Sequence, residues 1–265
     1  MQNIITSGDP LAALARGWQL GDGHFSTLHA QAGRLRHWRY HQARLRDGCR
    51  RLHMAEPNWV WLREQADAVL DGSDQVLRIS LLRSTGARGY GIDGCGEPTL
   101  VLNTSPFPIH YYDWRERGLA IGLCHGRLGS SPLLAGLKTL NRLEQVLLKA
   151  ELEQRGLAEG VVLDGAGVVR EAVTANLFWR KGARVYTPDL SNGGVCGTVR
   201  AWSQDYLGAR LSMVSDGLPG LLAADEIWLT NALMGVVPVT LVEEQWESSS
   251  FSMARELQRA YEQTD

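Results

Sequence analysis

The segment Pro106-Phe107-Pro108 is the strongest interruption in this chain. Proline has no N–H to give a strand ladder or a helix, and it drives the residue before it toward extended backbone. No single element continues through such a segment, so two bodies are expected. Residues 1–108 form a small N-terminal α/β domain, 109–116 a linker, and 117–265 a larger C-terminal domain. A length of 265 residues accommodates two medium domains.

Each half carries its own periodicity. In the first, Trp38, Leu45, Cys49 and Leu52 recur at helical spacing with basic residues between them, which predicts a helix ending near Met54. A second helix covers Val60 to Leu70 and stops at the turn residues Asp71-Gly72-Ser73-Asp74. Val76 to Arg83 and Thr99 to Thr104 read as strands that pair as a long hairpin around the Gly-rich stretch 86–96. In the second half, Leu119 to Cys124 reads as a strand. Leu140 to Gln154 reads as a helix with Leu140, Leu143, Leu147 and Leu148 on one side, ended by Gly156. Short strands at 161–163, 168–170, 176–180 and 184–186, joined by Asp164-Gly165 and Lys181-Gly182 turns, predict two hairpins and a mixed sheet. The expected class is therefore α/β with mixed sheets (α+β).

Composition excludes several functions. Lys plus Arg is 27 against 29 for Asp plus Glu, a net charge of −2 that offers no global field for nucleic acid. The four cysteines stand far apart with no C-x-x-C pair, so no zinc site is expected and the thiols read as reduced. No apolar run approaches the roughly 20 residues that cross a bilayer, and the opening residues carry no basic region followed by an apolar one. A cytoplasmic chain without membrane contact is the expectation, and the sequon Asn103-Thr104-Ser105 then has no glycosylating partner.

Several local patterns fail their chemical tests. Gly136-Leu137-Lys138-Thr139 resembles the end of a P-loop, but Leu137 stands where the second glycine belongs. His37 and His41 have the spacing of two zinc ligands without the intervening Glu, and read as a solvated helix face. Gly86-Ala87-Arg88-Gly89-Tyr90-Gly91 joins two strands instead of opening a helix, so it is no dinucleotide fingerprint. Gly193 to Arg200 is different, because a glycine turn feeds a helix whose first N–H groups, at Gly197, Thr198 and Val199, can bind an anion, with the Thr198 hydroxyl as a further donor. A plain helix cap at Thr198 explains the segment equally well. Lys138 lies among apolar residues, where an amine can become nucleophilic or simply snorkel to the surface. Glu171, at the end of a strand, reads on its own as solvated.

These segments, in this order, resemble the fold-type IV pyridoxal-phosphate-dependent enzymes, the group of branched-chain and D-amino-acid aminotransferases and aminodeoxychorismate lyases. The similarity includes Gly21-Asp22-Gly23-His24-Phe25-Ser26-Thr27, His41-Gln42-Ala43-Arg44-Leu45, the lysine block, the Glu171 strand, Asn176-Leu177-Phe178 and Gly197-Thr198. Leu134 to Val146, with Arg142-Leu143-Glu144-Gln145, is similar to the lysine segment of the lyases, as are Arg83 to Tyr90 and Thr230 to Met234. Gly235 departs from the pattern, which has proline there.

The resemblance implies a two-domain fold with pyridoxal 5′-phosphate between the domains, and a homodimer in which some of the tryptophans join the interface. Lys138 would hold the cofactor covalently through its amine and then serve as acid and base. Glu171 would keep the pyridine nitrogen protonated, Arg44, Gly197 and Thr198 would bind the phosphate, and Asn231 would be a further cofactor contact. Arg88, then Arg83 and Arg142, would meet the substrate's carboxylates. The implied activity is conversion of 4-amino-4-deoxychorismate to 4-aminobenzoate and pyruvate, in the 4-aminobenzoate branch of folate biosynthesis. An aminotransferase of D-amino or branched-chain amino acids is the alternative, and a non-catalytic binding protein on the same scaffold is a further one.

Overall fold

A computed structural model describes residues 4–6, 16–86 and 88–264. The opening residues, apart from 4–6, and Ala87 of the glycine-rich stretch lie outside the described residues. Contacts divide the chain into two compact units: Met1–Phe107 with Leu137–Asn141, and Pro108–Gly136 with Arg142–Asp265.

The first unit contains β1 (Ile4–Ile5), α1 (Arg16–Leu20), β2 (Gly23–Gln31), β3 (Arg34–Leu35), α2 (Trp38–Arg51), α3 (Trp59–Ala68), β4 (Gln75–Leu82) and β5 (Thr99–Pro106). Its sheet has the order β1-β5-β4-β2-β3, and β4 and β5 pair antiparallel along their whole length as the expected hairpin. Strand alternation divides each strand between two faces. On one face Leu28, Leu77, Ile79, Leu81, Leu100 and Leu102 pack with Leu45 and Cys49 of α2 and Leu62 and Ala66 of α3. Each such fully buried aliphatic side chain contributes roughly 1.5–3 kcal/mol of transfer free energy. Phe25, Thr27, Arg78 and Ser80 alternate onto the other face, brought side by side by the β2–β4 register.

His24, Ser26 and His41 are polar intrusions into the helix-facing core. His37 and His41, expected to be solvated, are 5% and 1% exposed, because α2 turns that edge toward β2. Their correction follows from burial, which the i, i+4 spacing does not encode. His24 lies 3.5 Å from the Cys49 thiol, and burial pushes the thiol up to about 12, so it is not a nucleophile at neutral pH.

The lysine segment departs from expectation too. Leu140 was expected to begin a helix in the C-terminal domain. Instead, the N–H of Phe25 donates to the Lys138 carbonyl and that of Leu140 to the Gly23 carbonyl, at 2.9 and 3.1 Å, so residues 138–140 run extended beside β2.

The second unit contains α4 (His110–Arg117), β6 (Leu119–Leu128), α5 (Leu143–Gln154), β7 (Gly160–Asp164), β8 (Val169–Ala172), β9 (Asn176–Lys181), β10 (Arg184–Pro188), α6 (Thr198–Leu207), β11 (Leu211–Val214), α7 (Leu218–Leu222), β12 (Glu226–Asn231), β13 (Gly235–Val242), β14 (Trp246–Glu247) and α8 (Ser252–Gln263). Residues 109–116, read from sequence as a linker, are mostly α4. Pro108 precedes its first turn, where a missing N–H costs no helical hydrogen bond. The strands form a mixed sheet in the order β11-β10-β9-β12-β13-β6-β7-β8, with β14 beside β13. The fold is thus mixed α/β throughout. Helix α5 joins the parallel strands β6 and β7, and α6 joins the parallel pair β10 and β11. In such a crossover the helix starts at the carboxyl end of the preceding strand, the usual place for ligands in α/β sheets.

One stability consequence arises in the first unit. Burial holds the His24 imidazole down to about 4 from an ordinary 6.5. The native state therefore refuses a proton that the unfolded chain accepts below about pH 6.5, so stability is complete above that pH and is lost as pH falls toward 4. Thermal unfolding should shift to lower temperature between pH 6.5 and 4. A His24→Gln variant, with no proton to take up there, should lose measurably less, and an identical slope in both proteins would contradict this assignment.

Candidate active site

In the second unit the site is organised by the turn that leads into α6. Glu171, on β8, is 4% exposed, and its carboxylate accepts hydrogen bonds from the Val195 N–H at 2.8 Å and the Gln145 amide at 3.4 Å. Its solvated sequence reading is thus corrected: β8 carries it into the interior. The approach needs glycine at 194, where φ is +84° and a Cβ would stand 3.1 Å from the Glu171 carboxylate oxygen. Gly136 joins the same turn, its N–H donating to the Gly194 carbonyl and its carbonyl accepting from the Cys196 N–H, both at 2.9 Å. Lys138 follows Gly136 by two residues in sequence.

Asn176, at the start of β9, holds the end of the turn. Its amide oxygen accepts from the Gly197 N–H at 2.9 Å and its amide nitrogen donates to the Val195 carbonyl at 2.7 Å. A Cβ on Gly197 would overlap that amide oxygen. The Gly197 N–H, expected to face an anion, is therefore occupied, and Gly197 is the helix cap, with Thr198 as the first helical residue. Thr198 and Val199 remain as first-turn donors. The Thr198 hydroxyl is buried, and among the described residues it has no hydrogen-bond partner. So is the hydroxyl of Thr230, which faces the same side of the sheet as its cross-strand neighbour Asn176. Buried hydroxyls left unpaired cost about 1–3 kcal/mol each, and their persistence beside a helix N-terminus marks a place for an acceptor-rich ligand.

One expected contact has another duty, and another is half-buried. The Asn231 carbonyl oxygen accepts from the N–H groups of Leu233 and Met234, at 2.9 and 2.8 Å, and its amide donates to the Thr174 carbonyl at 3.1 Å, so this side chain builds the β12–β13 turn. Arg142 is half-buried at the start of α5. Burial lowers its guanidinium below the ordinary arginine value, opposed by the nearby carboxylates of Glu171 and Glu144.

In the first unit, Lys138 Nζ lies 4.8 Å from the centre of the Phe25 ring, and the Arg78 guanidinium lies 3.7 Å from the same centre. Arg78 donates through Nε to the Ser80 hydroxyl, at 3.4 Å, and burial lowers its guanidinium below the ordinary value. Two cations on one aromatic ring make this face attractive to anions. Arg44, on α2, directs Nη1 to the Ser26 hydroxyl at 3.4 Å. Arg83, expected at the substrate, is buried and fully used. It pairs with Asp22 at 2.9 Å and donates to the His53 and Leu52 carbonyls. Arg88 is exposed. The sequence contains three lysines, of which Lys149 donates to the Ala158 carbonyl and Lys181 ends β9.

Thr230 and Asn176 lie in segments that carry the resemblance but were given no role from sequence, and Arg78 was not singled out. Thr230 and Asn176 could have been flagged only by their pairing across β9 and β12, and Arg78 only by its β2–β4 register with Phe25. No group of three or more His, Cys, Asp or Glu able to hold a metal occurs among the described residues.

A buried carboxylate, a glycine turn opening a helix and a lysine on an extended segment are the parts of one recurrent enzyme class. The chain belongs to the amino-transferase class IV family, whose pattern matches residues 23–242. It is 40% identical over 229 residues to aminodeoxychorismate lyase of Vibrio harveyi, covering 85% of this chain and 84% of that protein. It is 36% identical to 4-amino-4-deoxychorismate lyase from Pseudomonas aeruginosa, whose crystal structure aligns with a TM-score of 0.87 over 96% of this chain and 94% of that one. The branched-chain amino acid aminotransferase of Escherichia coli, 18% identical with a TM-score of 0.82 over 97% and 91% of the two chains, shares the fold.

The Asn176–Gly197 contact predicts non-additive mutations. Gly197→Ala should destabilise the protein by about 1–3 kcal/mol through overlap with the Asn176 amide. In an Asn176→Ala background the same change should cost much less, as read from denaturant midpoints. Equal costs in both backgrounds would place the strain elsewhere.

Proposed function

We propose that this chain is a pyridoxal-phosphate-dependent lyase that converts 4-amino-4-deoxychorismate to 4-aminobenzoate and pyruvate. The observation that carries the cofactor reading is the 194–198 turn, where a buried carboxylate and the unsatisfied Thr198 hydroxyl meet consecutive residues. The substrate reading is supported by the lyase relatives at 40% and 36% identity over most of the chain.

The donor set fits the cofactor part by part. The first-turn N–H groups of α6 and the Thr198 hydroxyl bind the phosphate, with Thr230 as a further donor and Arg44 as its cationic partner. Glu171 would pair with the pyridine nitrogen and keep it protonated. The bound cofactor supplies an electron sink for negative charge at the carbon next to the substrate nitrogen. Lys138, which holds the cofactor through its amine, removes the ring proton at that carbon when the substrate has taken its place. The ring C–O bond then breaks, the enolpyruvyl group leaves as its enolate and takes a proton from Lys138 or a water to become pyruvate, and aromatisation of the ring drives the step. Arg78, Arg142 and Arg88 are the candidates for the two substrate carboxylates, since Arg83 is buried and held by Asp22 and two backbone carbonyls.

We read the enzyme as a cytoplasmic homodimer. No helix among the described residues is long and apolar enough to cross a membrane. Leu143, Val146 and Leu147 of α5 share one helical face and are 75%, 59% and 70% exposed, so Leu143 and Leu147, grouped from sequence on one side with Leu148, do not pack inward. Leu148 and Leu152 take that role, packing with Cys124, Leu128 and Val162. The interface reading now rests on α5 more than on tryptophan, because Trp18 is the one exposed tryptophan among the described residues.

Release of 4-aminobenzoate from 4-amino-4-deoxychorismate, with no added oxo acid, tests the activity. Turnover supports the lyase; no turnover together with a half-reaction on D-alanine or a branched-chain amino acid would replace it with the aminotransferase. Glu171→Gln should retain the cofactor and lower kcat by roughly 100-fold or more. Light scattering should give twice the chain mass for the protein and the single-chain mass for Leu147→Asp.

A further inference from the structure

On the helix-facing side of β2, two buried polar side chains meet. The Ser26 hydroxyl is 0% exposed and lies 2.8 Å from Nδ1 of His41, which is 1% exposed. One helical turn beyond His41, Arg44 places Nη1 3.4 Å from the same hydroxyl oxygen. Burial, reinforced by the Arg44 and His37 charges, keeps the His41 imidazole well below its ordinary value, so the ring is neutral.

The hydrogen-bond inventory then gives the trio a direction. A serine hydroxyl has one hydrogen and two lone pairs, and an arginine can only donate. If the Ser26 hydrogen pointed toward Arg44, donor would face donor. Pointed at Nδ1 of His41, it leaves a lone pair for the guanidinium. In the tautomer of the neutral ring that carries its hydrogen on Nε2, Nδ1 accepts this hydrogen, and the hydroxyl anchors one end of a long side chain that otherwise has several rotamers.

We propose that Ser26 and His41 are positioning residues that hold the Arg44 guanidinium ready for the cofactor's phosphate. The inference rests on the phosphate role given to Arg44 above, and extends it to two residues that would not touch the cofactor. Anchoring lowers the ordering cost of binding, so its loss appears in affinity for the phosphorylated cofactor.

The test compares pyridoxal 5′-phosphate with pyridoxal, which lacks the phosphate, by titrating the cofactor-free protein and following fluorescence. Ser26→Ala should weaken pyridoxal 5′-phosphate about 10-fold, the scale of a hydrogen bond to a charged group, and leave pyridoxal unchanged. Ser26→Thr, which keeps the hydroxyl, should restore affinity. In an Arg44→Ala background, Ser26→Ala should have no further effect. Equal weakening of both compounds, or losses from Ser26→Ala and Arg44→Ala that multiply, would overturn the positioning role. If Arg44→Ala leaves affinity intact, the phosphate role of Arg44 fails and this inference fails with it. Binding lost with Arg44→Ala but intact with Ser26→Ala would overturn the inference alone.

Discussion

The hydrogen bond from the Val195 N–H to the Glu171 carboxylate is the contact on which the rest of the site depends. A buried carboxylate whose oxygens lack donors is costly, so the backbone donor fixes its place. The same short turn is gripped by Gly136 on one side and by Asn176 at its end, and it delivers the first residue of α6. Carboxylate and helix start therefore cannot move independently. That coupling suits an active site that must hold the two ends of one flat, phosphorylated cofactor.

Much of the fold was legible in the sequence because its elements have strong local causes. The β4–β5 hairpin, the α2 and α3 helices and the β7–β10 hairpins follow from periodicity and turn residues, and they occur at nearly the expected positions. The failures share a different cause. Leu140 fits the apolar pattern of the helix that follows, but residues 138–140 are claimed by an open strand edge, and tertiary pairing overrides local preference there. Leu143 and Leu147 fit an inward-facing stripe as well as an outward one, since spacing alone does not say which side of a helix meets the sheet.

The site divides along the same line. Lys138, Glu171, Arg44 and Thr198 stood out through motif order, and they rest on the family resemblance more than on any local physical signal. The occupied Gly197 N–H, the turn-building Asn231 and the structurally spent Arg83 depend on partners distant in sequence, at Asn176, Thr174 and Asp22. Thr230 and Ser26 were equally hidden. Each is an ordinary strand hydroxyl until its neighbours are known, one being left without a partner among the described residues and the other caught between an imidazole and a guanidinium.

The central claim is that Lys138 carries the cofactor. With three lysines in the chain, the question has few possible answers. Borohydride reduction of the protein loaded with pyridoxal 5′-phosphate, followed by peptide mass mapping, should place a single phosphopyridoxyl group on Lys138. A group found on Lys149 or Lys181 instead, or no stable adduct in a protein that turns over the substrate, would contradict the account.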